Sequence, residues 1–515
     1  MNKFTCTYIL IAVLLSACST TKFLPPGQKL YTGADVKITD QFAKKSEAKA
    51  LSDELEDLLR PKPNGKILGL RVKLYIYEKT KTNKLRGLKH WINTKFGEPP
   101  VLASAVDLNK NSNILQNRLQ NKGYFIADVS GDTISKKKTA KAVYTIQTGP
   151  AYHYRKVTFP AETDDLDTAI TGTAKQSLLK VGDQYNLDVI KNERLRIDAR
   201  LKEKGFYYFS PDDIIMRYDS TIANHQVDLF VKVKNETPER ARWIYSIRNI
   251  YVYPNYSLRD TSLKIDSAEK YRWYNVIDPQ HTVRPFLFKS TVLLHPNDVY
   301  NRTEHTKSLN RFIELGPFRY VKNRFEDVTP DSPKLDIYYF LTQYKRKSLQ
   351  AEILGRQTSA NYNGTQVNLN FRNKNTFKGG ELFTLTLFGS SDIQFGSRNN
   401  GYNVYQTGIK PSLSWPRFIS PIDFTSNTAF IPRTILNTGY TLINRTQLYT
   451  LNSFNASFGY QWKPDLHKQH DLNILEFTYT KAANVTQIYR DSIIKTRNPV
   501  LTHVIDNQLT FGPTY

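Results

Sequence analysis

The chain has 515 residues, with 72 Lys and Arg against 47 Asp and Glu, a formal net charge of +25. At 40% hydrophobic and 12% aromatic residues it is too rich in core-formers to be disordered. Its only cysteines, Cys6 and Cys18, lie in the first twenty residues, which excludes a disulfide framework or a Cys-based zinc site further along.

Lys3, an apolar run over residues 8–15 and the sequence Leu15-Ser16-Ala17-Cys18 read as a secretory leader over residues 1–17. Eight apolar residues cannot cross a hydrocarbon core of roughly 30 Å as a helix. The tetrapeptide resembles the bacterial lipobox. That resemblance implies cleavage before Cys18, a diacylglycerol and an N-acyl chain on that residue, and a lipidated linker over 18–25. An ordinary secreted protein cut near Ala17, with a free thiol, is the alternative.

The next 330 residues repeat themselves. Leu178-Leu179-Lys180-Val181-Gly182-Asp183-Gln184-Tyr185-Asn186 aligns with Leu293-Leu294-His295-Pro296-Asn297-Asp298-Val299-Tyr300-Asn301. Each is followed by a helical pattern that ends in Gly and aromatics, at Gly205-Phe206-Tyr207 and Gly316-Pro317-Phe318, and a third such ending stands at Gly123-Tyr124-Phe125. Glycine takes the left-handed conformation at a helix C-terminus without steric cost, so Gly123, Gly205 and Gly316 mark helix stops. Runs at 144–148, 227–233 and 335–341, rich in β-branched and aromatic residues, read as strands, and 152–159 and 243–253 read as the strands that follow. The unit is strand, helices, Gly turn, strand, strand. This order resembles the POTRA domain, an α+β module with a three-stranded sheet and two helices, over residues 26–149, 150–238 and 239–345. An insertion at 61–97 has no counterpart in the repeat. The free edge of such a sheet can accept an extended client through main-chain hydrogen bonds, or the modules can serve as spacers.

Composition changes after residue 345. Residues 346–515 hold 17 Lys and Arg and 9 Asp and Glu, and strict alternation appears. Phe454, Ala456, Phe458, Tyr460 and Trp462 alternate with polar residues or Gly, and Val367, Leu369 and Phe371 alternate with Asn, Gln and Arg. Period two predicts strands with one apolar face. Eight are expected, at 348–355, 365–373, 382–389, 403–415, 433–443, 448–462, 472–481 and 507–515. Aromatics near Trp462 suit an interfacial girdle, and Asn, Gln, Ser and Thr on the other face suit a wet lumen, so a membrane barrel is preferred to a soluble sandwich.

These features, with Cys18-Ser19-Thr20-Thr21-Lys22-Phe23-Leu24-Pro25-Pro26-Gly27, Leu30-Tyr31, Gly97-Glu98-Pro99-Pro100-Val101 and the turn Phe371-Arg372-Asn373-Lys374-Asn375-Thr376-Phe377-Lys378-Gly379-Gly380-Glu381, resemble the BamA/TamA superfamily of outer-membrane assembly proteins. The lipidated branch of translocation and assembly module lipoproteins, TamL, is the best match. The resemblance implies α+β POTRA-like repeats followed by an antiparallel transmembrane β-barrel, lipid-anchored in the bacterial outer membrane with the modules in the periplasm. It implies that the first barrel strand, carrying Leu349, Ala351 and Ile353, parts from the last to template client strands. Implied partners are outer-membrane lipid, unfolded β-rich clients and a periplasm-spanning TamB-like protein. Eight strands are about half of the family's sixteen, and the family's Val-Arg-Gly-(Phe/Tyr) motif is absent, so a truncated chain is expected, with a closed eight-stranded barrel as the alternative. Rival functions are an export pore for one dedicated secreted partner and a soluble lipoprotein binding module.

Site chemistry is sparse. There is no nucleotide loop, Gly-x-Ser-x-Gly or His-Glu-x-x-His, so a non-enzyme without metal or organic cofactor is expected. His467 and His470 lack a third ligand at useful spacing, and Asp164, Asp165 and Asp167 lack the glycine of a calcium loop. The basic runs 136–138 and 345–347 stand beside strands without interleaved aromatics, which speaks against nucleic acid; the second run is placed at lipid headgroups or in a solvated linker.

Overall fold

The computed structural model describes residues 20–40, 45–67, 69–82, 84–257, 267–357, 362–394, 402–421 and 426–515. Cys18 lies outside them. The first module runs β1 (Leu30–Ile38), α1 (Lys45–Leu58), α2 (Val72–Thr80), α3 (Leu88–Phe96), α4 (Leu108–Asn121), β2 (Asp128–Ser135) and β3 (Thr139–Gln147). Its sheet has the order β1-β3-β2, with β1 parallel and β2 antiparallel to the central β3. The helices bury one stripe each, Leu51 and Leu55 on α1 and Asn111, Leu115 and Leu119 on α4, at the four-residue spacing that keeps side chains on one face. Asp107 caps α4 by accepting from the Lys110 amide. The insertion at 61–97 supplies α2 and α3.

The second module runs β4 (His153–Thr158), α5 (Asp165–Thr171), α6 (Leu187–Lys202), β5 (Ile214–Ile222) and β6 (Gln226–Val233), with the order β4-β6-β5. Asp164, part of the acidic cluster, is the N-cap of α5 and accepts from the Asp167 amide at 2.7 Å. Contacts divide the chain near the end of α6, so residues 199–209 belong with 238–515.

A short α7 (Glu239–Arg242) precedes the third module: β7 (Ser246–Tyr253), β8 (Glu269–Tyr271), β9 (Tyr274–Val276), α8 (Arg302–Glu314), β10 (Phe318–Asp327) and β11 (Lys334–Gln343). Here the expected three-stranded sheet is corrected to five, in the order β10-β11-β7-β9-β8. A tight hairpin turning at Arg272, with φ 53°, lays β9 parallel to β7 and extends that edge. Fully buried Tyr274 holds it there, its hydroxyl donating to the Pro285 carbonyl at 2.8 Å.

The second and third modules share an ion pair where the first strand bulges against the central one. Arg155 on β4 grips Asp228 on β6, and Arg248 on β7 grips Asp336 on β11, each through Nε and Nη2 to the two carboxylate oxygens. The Arg155 hydrogen bonds hold the Asp228 carboxyl below the usual carboxylate range.

The final sheet has eight strands, β12 (Lys347–Gln357), β13 (Tyr362–Asn373), β14 (Leu382–Gln394), β15 (Val404–Trp415), β16 (Arg433–Arg445), β17 (Tyr449–Trp462), β18 (His470–Ala483) and β19 (Gln508–Thr514). Each is antiparallel to the next, and the order runs from β12 to β19. The closed eight-stranded alternative is not adopted, because among the described residues β12 and β19 do not pair. Helices α9 (Gln487–Thr496) and α10 (Pro499–Ile505), which alternation does not announce, join β18 to β19.

Candidate functional site

Register turns the alternating sequence into rows. Directly opposed residues point to the same face of a sheet. Following the pairs from strand to strand gives one unbroken apolar row, Ala351–Leu369–Leu387–Ile409–Tyr440–Phe454–Tyr479–Leu509. From Leu369 to Leu509 these side chains are 38–56% exposed. On the opposite face runs Ser348–Arg372–Thr384–Ser412–Asn437–Ser457–Glu476–Gly512. There Ser412 donates to Asn437 at 2.7 Å and Asn437 to Ser457 at 3.3 Å. Trp415, Tyr460 and Trp462 continue the apolar face towards the end where the chain enters the sheet, and Phe418 packs edge-on against Tyr460 and Trp462.

A sheet with a bare apolar face and a hydrogen-bonded polar face has its hydrophobic side turned to its surroundings. Among the described residues no second sheet covers the apolar row. No described helix is long and apolar enough to cross a membrane.

Strand β12 is one edge of this wall. Leu349 and Ile353 are 74% and 76% exposed, and Ala351 between them starts the apolar row. Among the described residues the strand pairs only with β13, so one side of its backbone is unpaired.

The three glycines stand at joints, with φ 89° at Gly123, 98° at Gly205 and 86° at Gly316. At the first two, the Leu-Leu repeat and the Gly-aromatic repeat meet. The Gly123 carbonyl accepts from the Tyr152 amide, and the Tyr152 carbonyl accepts from Tyr185; the Gly205 carbonyl accepts from Tyr245, and the Tyr245 carbonyl accepts from Tyr300. Gln184 and Asn301 close each joint by donating to the Lys122 and Glu203 carbonyls. A Cβ on Gly123 would stand 2.7 Å from the Tyr185 carbonyl oxygen, and one on Gly205 would stand 2.6 Å from Val299 Cγ1. Two residues on, Phe125 packs on Tyr152 and Tyr185, and Tyr207 packs on Tyr245 and Tyr300. Burial pushes the Tyr245 hydroxyl up to about 12. Both motifs are visible in the sequence as separate repeats; that each module's glycine turn receives the next module's Asp-x-Tyr loop is not.

The third module meets the sheet differently. The turn between β13 and β14 lies against it: Asn375 donates to the Thr282 carbonyl at 2.9 Å and Arg284 N–H to the Lys378 carbonyl at 2.7 Å. A Cβ on Gly379 would crowd the Glu381 carboxylate and stand 2.9 Å from the Phe286 ring, and one on Gly380, whose φ is 76°, would stand 2.9 Å from a Leu287 methyl, so a side chain at either would force its neighbours to move. Buried Glu381 accepts from the Phe377 and Gly379 amides and holds the turn closed. The loop between β15 and β16 is gripped by buried Arg311 on α8, whose guanidinium donates to the carbonyls of Ser290, Thr428 and Ser426, while Ile431 enters the module's core. Next to these contacts lies a cleft of about 440 Å³ lined by Trp273, Phe286, Arg417 and Phe418. Arg346, expected at headgroups or in a solvated linker, instead donates to the Asn375 and Thr376 carbonyls.

The other sequence candidates do not converge. His470 stacks between Trp462 and Tyr515, and the His467 amide closes a turn on Asp465. Among the described residues no group of three or more His, Cys, Asp or Glu side chains is arranged to hold a metal ion. Lys136, Lys137 and Lys138 form the exposed turn between β2 and β3.

No protein-family model matches the chain, and no curated protein matches it. Solved structures do. BamA from Haemophilus ducreyi lacking POTRA domains 1–3 is similar over 70% of this chain and 58% of its own, at 14% identity and a TM-score of 0.42. POTRA domains 3–5 of BamA from Haemophilus influenzae match over 62% of this chain and 99% of theirs, at 14% identity and a TM-score of 0.30. CdiB from Acinetobacter baumannii matches over 65% and 62%, at 10% identity and a TM-score of 0.26. The chain thus spans less than two thirds of the length of the BamA structure that it resembles.

Proposed function

We propose that this chain is an outer-membrane assembly or translocation factor of the BamA/TamA type, a TamL-like lipoprotein that captures unfolded β-rich clients on module edges and templates their strands on β12. The observation that carries the reading is the unbroken apolar row from Ala351 to Leu509 with a polar ladder behind it. Such a wall belongs in hydrocarbon, where an unpaired strand edge leaves backbone groups unsatisfied at a cost on the order of several kcal/mol each. A client strand laid along β12 satisfies them. Main-chain pairing is indifferent to side-chain identity, which suits a factor with many clients. The edges of the N-terminal sheets offer the same chemistry in water.

In this reading Cys18 carries diacylglycerol and an N-acyl chain, the modules face the periplasm, and a TamB-like protein delivers clients. The work is non-enzymatic: hydrogen bonds are exchanged and no covalent bond is made. Proline lacks the amide donor, so Ala351→Pro and Ile353→Pro in β12 are expected to abolish client insertion in a reconstituted folding assay while the chain itself still inserts. Unchanged client insertion would defeat the templating role. Client passage across the membrane without insertion would instead favour an export pore.

A further inference from the structure

The insertion that forms α2 and α3 takes no part in the β-α-α-β-β repeat. Residues 66–96 hold nine Lys and Arg against the single acid Glu78, a net +8 of the chain's +25 in 31 of its residues. The same segment leaves a strip of large apolar side chains bare, with Leu85 and Leu88 86% and 72% exposed and Trp91 and Phe96 beside them half-exposed. On α3, Leu88, Trp91 and Lys95 fall at i, i+3 and i+7, one face of the helix. Lys95 Nζ lies 5.1 Å from the Trp91 ring, and Trp91 meets Phe96 edge-on at 5.6 Å.

This strip belongs to a folded hairpin. Asn93 ties α3 to α2 by donating to the Tyr77 carbonyl at 2.7 Å and to Thr80 Oγ1 at 3.0 Å, and Leu74 is already buried on the inner side. The chain's own N-terminal segment lies against it, Lys79 Nζ sitting 5.5 Å from the Phe23 ring.

We propose that the α2–α3 hairpin is a membrane-surface clamp that seats Leu85, Leu88 and Trp91 at the headgroup boundary of an anionic bilayer, with its lysines and arginines against the lipid phosphates. Charge complementarity and the amphipathic strip carry the assignment. Aliphatic Leu85 and Leu88, the most exposed of the strip, gain nothing from stacked bases, whereas an interface takes leucine and tryptophan while lysine stems snorkel to the phosphates. This clamp goes beyond client assembly and shares with it only the presence of a bilayer.

The test uses the full chain in proteoliposomes, with an environment-sensitive fluorophore on Thr94→Cys, an exposed position of α3, and the unsubstituted chain as background. With about one-third phosphatidylglycerol, fluorescence is expected to rise about three-fold over pure phosphatidylcholine and to be quenched by headgroup-proximal spin-labelled lipid. Lys84→Glu/Arg86→Glu/Lys89→Glu removes the dependence on anionic lipid, as does high salt. Leu85→Ser/Leu88→Ser removes the quenching. All five positions are exposed, so client insertion stays at the unsubstituted level in both variants. Equal, unquenched signals in the two vesicle types overturn the clamp, as does a response to added oligonucleotide in place of lipid. Docking by a chain that fails to insert clients overturns only the proposed function.

Discussion

The third module and the eight-stranded sheet use similar side chains to opposite ends. In β11, Leu335, Ile337, Tyr339 and Leu341 are fully buried and the alternate residues Tyr338 and Phe340 are buried too, because the strand is central and both its faces are covered. In β17, also central in its sheet, Phe454 stands 43% exposed while Asn455 and Ser457 face the other way. Aromatic content does not separate the two strands. The distinguishing feature is the polar ladder: a strand whose alternate residues hydrogen-bond one another across several neighbours has spent one face on water, and its apolar face must find its solvent elsewhere.

The sharpest way to break that contrast is a charge on the bare row. Leu387→Arg is expected to cost about 2–4 kcal/mol of stability in lipid vesicles, as for a cation at mid-depth of a barrel wall. Ser412→Gln, on the polar ladder, should change it by less than about 1 kcal/mol. Urea titration of the chain in vesicles reads both, and equal costs would mean that the two faces are not differently solvated.

Acid probes the covered side of the comparison. His305 on α8 is buried, with Nδ1 3.3 Å from the Tyr339 hydroxyl and its ring edge-on to Phe325, and burial pushes the imidazole down to about 4. The folded state therefore favours the neutral ring. This contribution is fully present above the unfolded value near 6.5 and is lost as pH falls through about 4, a total of about 3 kcal/mol. Denaturant midpoints of the third module's tryptophan signal should fall over that window, and His305→Gln should flatten the dependence attributable to this group. A midpoint unaltered by that substitution removes the buried-imidazole account.

What the sequence makes legible follows from which physical signals are local. All eight sheet strands are readable from period-two alternation, with ends that fall within three residues except at β14, which runs on to Gln394 where 389 is expected, because alternation is written into every strand by itself. The hairpin of β8 and β9 escapes such a reading: three residues per strand are too few for a period, and what holds Tyr274 in place is a core assembled from distant segments. The turn over 371–381 is legible as a motif, yet its purpose is not, since the groups it docks against, the Thr282 carbonyl, the Arg284 amide and the side chains of Phe286 and Leu287, lie far away in the chain. The two repeats are likewise visible while their pairing across joints is not, because neither Gly123 nor Tyr185 carries any mark of the other.

That pairing yields the finest comparison, between the joints themselves. All three glycines have left-handed backbone, so an alanine at any of them carries roughly 1 kcal/mol of strain. At Gly316 nothing lies within 4 Å of the added carbon, and the strain is the whole effect. At Gly205 the obstacles are the methyl ends of Val299 and Ile244, which can shift. At Gly123 the obstacle is the Tyr185 carbonyl, itself fixed in the loop of the next module, so Gly123→Ala should cost about 2–3 kcal/mol and speed hydrogen exchange at the Tyr152 and Tyr185 amides. A graded series from Gly123 through Gly205 to Gly316 supports a tight joint between the first two modules and a looser one at the sheet. Equal effects at all three would reduce the glycines to helix stops that each module needs on its own account.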